Sequence, residues 1–176
     1  MSVLTISTDV TAIRQIQDRL LNILATSDGP WSAEVKFYRS NPASFQNKTT
    51  ELIYTISSQP NLPVYLFTKS EAIVTDFGLT SILGSKLQSL WIPRQTFKIE
   101  GESYKWKDAE INIGNLFLQG NFRGLILEIF IDSTDSQHTK QRVESLIELL
   151  QLQTTLDSEV VTTKLDLVKQ YAKLNK

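Results

Sequence analysis

Residues 94–131 read RQTFKIEGESYKWKDAEINIGNLFLQGNFRGLILEIFI, and this stretch decides the fold. Apolar and polar residues alternate through most of it with the period of two that a pleated strand imposes. The interruptions are short and of turn composition: Gly101-Glu102, Lys107-Asp108 and Gln119-Gly120-Asn121. They predict four strands, Arg94–Glu100, Ser103–Trp106, Ala109–Leu118 and Phe122–Ile131. Connections this short require antiparallel neighbours, because parallel pairing needs a long crossover.

The same period runs upstream. Trp31, Ala33, Val35 and Phe37 alternate with Ser32, Glu34, Lys36 and Tyr38, a half-buried strand that follows a turn at Asp28-Gly29-Pro30. Shorter strands are predicted at Val3–Ser7, Glu51–Ser57, Val64–Thr68 and Ala72–Asp76, with Ser40–Thr50 as the longest loop. Helical spacing appears in four places. After the first strand, Ile13, Ile16, Leu20 and Leu24 share a face, with Thr8 or Asp9 as cap. Thr80–Leu90 presents Leu83, Leu87, Leu90 and Trp91 and stops at Pro93. Gln137–Leu150 packs through Val143, Leu146, Ile147 and Leu150; Ser158–Leu174 packs through Val161, Leu165, Val168 and Ala172. The class is therefore α+β: one domain over residues 1–176, an antiparallel barrel-like sheet of about eight or nine strands with flanking helices, since curling such a meander removes unpaired edges.

Composition narrows the chemistry. The chain has 176 residues, 41% hydrophobic and 21% charged, the balance of a globular domain. It has no cysteine, which rules out disulfides, thiolate catalysis and zinc–thiolate sites. With no signal-like start in Met1–Ile6 and no long apolar run, an intracellular, non-membrane setting is expected. The Asn47-Lys48-Thr49 sequon reads as a loop coincidence. Net charge is −1, and no basic stripe stands ready to displace counterions from phosphates, so specific nucleic-acid binding is not expected. Lys164, Lys169, Lys173 and Lys176 read as cations complementing the last helix's C-terminal dipole.

Catalytic constellations are scarce. His138 is the sole histidine and falls in the polar run Ser133–Lys140 before a helix. The seven glycines form neither a dinucleotide fingerprint nor a phosphate loop, and no nucleophile elbow precedes a helix. Glu100 and Glu102 would share a face on a continuous strand and could hold a divalent cation there. With Gly101 between them at a predicted hairpin tip, they read instead as solvated acids. No enzyme and no cofactor are expected.

The last two strands are unusual. Leu125, Leu127, Ile129 and Ile131 make one apolar face, while Phe122, Gly124, Ile126, Glu128 and Phe130 make a second, mostly apolar one. An antiparallel strand is ordinarily apolar on one side only. Two covers fit this demand, the terminal helices or another protein, and the sequence leaves both open. Arg94, Ile111, Phe117, Leu118, Phe122, Arg123 and Phe130 are the protein-interface candidates. Trp31 and Trp91 read as core anchors.

Three segments carry a resemblance. They are Gly29-Pro30-Trp31-Ser32 with Phe37-Tyr38-Arg39; the run from Gly84 to Gln95, with Ser85-Lys86-Leu87, Leu90-Trp91 and Arg94-Gln95; and Asn115-Leu116-Phe117 with Gly120 to Ile129. In this order and spacing the chain resembles the subunit-20 family of the Mediator complex, the coactivator between transcription factors and RNA polymerase II. The resemblance implies a nuclear, non-catalytic component of the head module with a barrel-like fold. It implies a direct heterodimer with Mediator subunit 18, a tether through the C-terminal region of subunit 8, and only indirect contact with the rest of the head and the polymerase. It carries no catalytic residue onto this chain. The alternatives are a metal-dependent tunnel-type RNA triphosphatase using Glu100 and Glu102, and a barrel binding an apolar ligand, against which the bulky Phe, Ile and Leu side chains argue.

Overall fold

The computed structural model describes residues 2–6, 12–44, 52–57, 63–68, 71–76, 78–131, 136–152, 166 and 169–175. Among these residues eight strands are present: β1 (Ser2–Ile6), β2 (Thr26–Ser40), β3 (Leu52–Ser57), β4 (Val64–Phe67), β5 (Ala72–Thr75), β6 (Trp91–Trp106), β7 (Ala109–Leu118) and β8 (Asn121–Ile131). Among the described residues three α-helices are complete, α1 (Ala12–Asn22), α2 (Gly78–Ser85) and α3 (Ser136–Leu149), and a 3₁₀ helix spans Gln170–Asn175. All pairs are antiparallel, in the order β1-β8-β7-β6-β2-β3-β4-β5. The α+β class follows the sequence, but the barrel is not closed. The order ends on β1 and β5, and among the described residues no pairing joins them.

Four local expectations fail; first, the helix expected over Thr80–Leu90 ends at Ser85, and Trp91 and Pro93 enter β6. Gly101-Glu102 is no turn: β6 runs unbroken from Trp91 to Trp106. Gly101 lies opposite Gly114, and a Cβ built on it would sit 1.9 Å from the Ile113 carbonyl oxygen. The glycine marks a close approach of two strand backbones, the other use of glycine within a strand. Asp28-Gly29-Pro30 likewise lies inside β2, where the register shifts between Ser27 and Gly29 in a bulge. Leu24 does not join the face of α1. It follows the helix at φ 63° and is 85% exposed, while Ala25 N–H reaches back to Leu20 O at 3.0 Å to close the helix end. Ile23 packs inward in its place. Of the fourth predicted helix, residues 158–165 lie outside the described residues, as does the Asn47–Thr49 sequon.

The sheet is coiled: Cα atoms of β2 and β7, which β6 separates, come within 8 Å, closer than the roughly 9.6 Å of two flat strand spacings. Its inner face gathers one core from β8 to β4, with Trp31, Val35, Phe37, Phe67, Phe97 and Ile126 among its members. Tyr171 from the 3₁₀ helix belongs to the same core. The outer face is divided. At one end α1 and α3 cover Ile111, Ile113, Leu125, Leu127 and Ile129, each fully buried. At the other, α2 covers Tyr38 and Ile53 through Leu83, with Trp91 packed alongside. The cover that the outer faces of β7 and β8 require thus comes from α3 together with α1, while Tyr171, at the end of the second expected C-terminal helix, sits on the inner face. Arg19 ties the two helices by donating to Leu150 O at 2.6 Å, and Trp106 Nε1 donates to Ile23 O at 2.9 Å at the end of α1.

Glu128 is explained by the inner face. Its Oε1 accepts from Asn112 Nδ2 at 3.0 Å and its Oε2 from the Tyr171 hydroxyl at 2.8 Å. A carboxylate here is tolerable because donors from β7 and the C-terminal segment meet it. Burial pushes the Tyr171 hydroxyl well above its usual range, and the Glu128 charge pushes it the same way. Burial, then the Glu102 hydrogen bond and charge, raises Tyr104 to about 12. Burial also raises Tyr38. A raised pKa means that the neutral phenol is favoured in the fold. Its stabilisation is complete below the unfolded value of about 10 and is lost as pH rises through the folded value. In an alkaline absorbance titration, Tyr104 and Tyr171 are expected to ionise only as the fold is lost. Simple ionisation of all five tyrosines near pH 10 with the structure intact would contradict this.

Candidate protein-interaction surface

The candidate residues divide by depth. Ile111 is 0% exposed beneath α1 and α3 and offers no surface, which corrects its selection from an apolar strand face. Phe130 is half-buried against the inner core, and Leu118 packs there too. The other four reach the outside. Arg94 and Arg123 are both exposed, and both sit at strand irregularities. Arg94 lies opposite the shift between Phe37 and Tyr38, and Arg123 opposite the shift between Leu116 and Phe117. A bulge breaks strict alternation, so a residue inside an apolar run can turn outward. The sequence could not separate this arrangement from a buried arginine.

Phe117 and Phe122 face each other across the β7–β8 ladder. Their rings stack edge to face, with centroids 6.2 Å apart at 71°. Such a pair contributes about 0.5–1.5 kcal/mol beyond its buried area. Phe122 leans on the α1–α3 core, while Phe117 floors an open groove of about 450 Å³ lined by Thr96, Lys98, Glu100, Gln119 and Gly120. The hairpin turn that ends the groove has Gln119 at φ 51° and Gly120 at φ 82°. Two consecutive positive φ values match the right-handed twist of a two-residue hairpin, and glycine adopts this conformation without strain.

The charges beside the groove lie on its β6 and β2 side. On β2, Lys36 Nζ pairs with Glu34 at 2.7 Å, and Glu34 stands opposite Lys98 of β6. Glu100 and Glu102 share one strand face, as a continuous strand requires, but this is the outer face of the sheet. Glu102 accepts the Tyr104 hydroxyl at 2.6 Å, so one of the two acids is engaged in the fold. Among the described residues no group of three His, Asp or Glu side chains converges on a metal-binding position. His138 is exposed in the first turn of α3. Sequence reasoning missed the groove because its walls belong to residues that only a continuous β6 brings beside Phe117.

Comparison with known proteins places the chain. Residues 3–174 match the family described as the TATA-binding related factor (TRF) of subunit 20 of Mediator complex. The chain belongs to the Mediator subunit 20 family. Among its relatives, the subunit 20 of Kluyveromyces lactis is 29% identical, over 72% of this chain and 69% of its own. That of Yarrowia lipolytica is 26% identical over 82% and 85%, and that of Saccharomyces cerevisiae 23% over 73% and 71%. This member of the Mediator subunit 20 family is therefore a component of a transcription coactivator that acts with RNA polymerase II. Solved structures share the fold at much lower identity. The PH1012 protein from Pyrococcus horikoshii superposes with a TM-score of 0.54 at 11% identity, covering 93% of this chain and 96% of its own. A conserved hypothetical protein from Pyrococcus furiosus gives 0.53 at 13%, covering 94% and 98%. In the described residues no helix is long and apolar enough to cross a membrane.

Proposed function

We propose that this chain is a non-catalytic architectural subunit of the nuclear Mediator head, which pairs directly with subunit 18 through the end of its β7–β8 hairpin. The observation that carries this is the Phe117–Phe122 pair, half-exposed beside a groove and flanked by the exposed Arg123. Aromatic residues and arginine are enriched among the side chains that dominate interface energy, an aromatic ring through its large buried area and arginine through its planar fork of donors. The exposed Arg94 is a further proposed contact. The C-terminal region of subunit 8 is the proposed tether to the remainder of the head, and RNA polymerase II is reached through the complex.

A structural role agrees with the residue chemistry. The single histidine is an exposed helix residue, and the one Glu-x-Glu lies outside the core with Glu102 engaged by Tyr104. Mixing this chain with subunit 18 is expected to give a 1:1 species in size-exclusion chromatography. Arg123→Ala, which removes an exposed side chain and leaves the core alone, should weaken pairing by about tenfold, and Phe117→Ala by at least as much. A monodisperse monomer that ignores subunit 18 would overturn the proposal.

A further inference from the structure

The two ends of the sheet differ. The terminal 3₁₀ helix approaches β1. At the opposite edge β5 leaves Ile73 44% and Val74 59% exposed. One hydrogen bond fixes the phase of that edge. Thr68 N–H donates to Glu71 O at 2.9 Å, so these two form a hydrogen-bonded pair. Bonded and non-bonded pairs alternate along an antiparallel ladder. Leu66–Ile73 and Val64–Thr75 are therefore bonded pairs, whereas Phe67–Ala72 and Tyr65–Val74 are not. The N–H and C=O groups of Ala72 and Val74 consequently point away from β4, out of the sheet's edge.

The side chains point to the kind of occupant. Ala72 belongs to the inner core with Tyr65, while Leu66, opposite Ile73, belongs to the core under α2. A strand added here would extend both cores, one on each face. Glu71 and Asp76 stand exposed at the two ends of β5. Edges are blunted by lysine, proline, a bulge or very short length, and of these β5 has only its length of four residues. This one reads Ala-Ile-Val-Thr in unbroken register.

We propose that β5 is a strand-addition site for an extended segment of a neighbouring Mediator subunit, bonded through the main chain of Ala72 and Val74. That segment is apolar on both faces at its centre and carries Lys or Arg at its ends, opposite Glu71 and Asp76. The inference rests on the architectural role proposed above, because the added strand comes from the same assembly.

Hydrogen exchange on the full chain, free and within the recombinant Mediator head, tests it. The Ala72 and Val74 amides should exchange rapidly in the free chain and slowly in the head. Val74→Pro is the matching variant. It removes an outward donor but no bond to β4, so the free chain should keep its unfolding midpoint while binding to the head weakens about tenfold. Wild-type assembly of Val74→Pro, or unprotected amides in an assembled head, would overturn the inference and leave the hairpin interface standing. Protection that rises with the concentration of the free chain alone would assign the edge to a second copy, and so overturn it too. A chain that joins no head at all overturns both proposals.

Discussion

Gly101→Ala is expected to destabilise the protein by about 3 kcal/mol or more, among the largest effects available to one methyl group. The added carbon would lie 1.9 Å from Ile113 O and 2.5 Å from the Gly114 Cα. Both obstacles are backbone, so no side-chain rotation relieves the overlap and β6 must part from β7. For a domain of this size the melting midpoint should fall by roughly 6–12 °C. Gly114→Ala should cost less, since its closest obstacle is the Ile99 methyl at 2.8 Å, although Glu100 O at 3.0 Å limits the relief. Gly84→Ala is the control. It sits in α2 with no atom within 4 Å of the new carbon, and there alanine should be neutral or stabilising by up to about 1 kcal/mol. Calorimetry on the three variants checks the ranking, and an unchanged midpoint for Gly101→Ala would refute the close approach.

Tyr171→Ala is expected to cost about 3–5 kcal/mol, the range for emptying a buried aromatic site. Tyr171 is 2% exposed in the inner core, and its hydroxyl is one of two described donors to Glu128. Truncation therefore removes packing and also one of the donors that meet the Glu128 carboxylate. Tyr171→Phe separates the two contributions. It keeps the ring and should lose about 1–2 kcal/mol through Glu128 alone. Combining it with Glu128→Gln should give less than the sum of the single effects, as expected of groups in direct contact. Denaturant unfolding measures these differences, and limited trypsin digestion at Lys169 reports whether the C-terminal segment has left the sheet. If Tyr171→Ala proves neutral, the inner face does not depend on this residue.

These variants also mark where the sequence was readable. The pattern in residues 94–131 gave the Lys107-Asp108 turn and, within the expected Gln119-Gly120-Asn121 connection, a turn at Gln119-Gly120, because alternation and turn chemistry are local. The core face of α3 was equally legible: Val143, Leu146, Ile147 and Leu150 are all buried. Gly101-Glu102 was misread because a glycine that permits a turn and one that permits a close strand crossing look alike along the chain. Ile111 was misjudged for a similar reason. An apolar strand face announces that it needs cover but not what covers it, and here α1 and α3 do.

By itself, then, the sequence determined the α+β class, the antiparallel strand neighbours, the lack of cysteine with a single histidine, and the resemblance to Mediator subunit 20. Each of these depends on residue identity or on spacing within about ten positions. Tertiary structure alone decided that the sheet stays open at β5, that Glu128 is met by Tyr171 across 43 residues, and that Arg94 and Arg123 turn outward. Those outcomes depend on sheet coiling and on contacts between distant segments. No short window of the chain contains them.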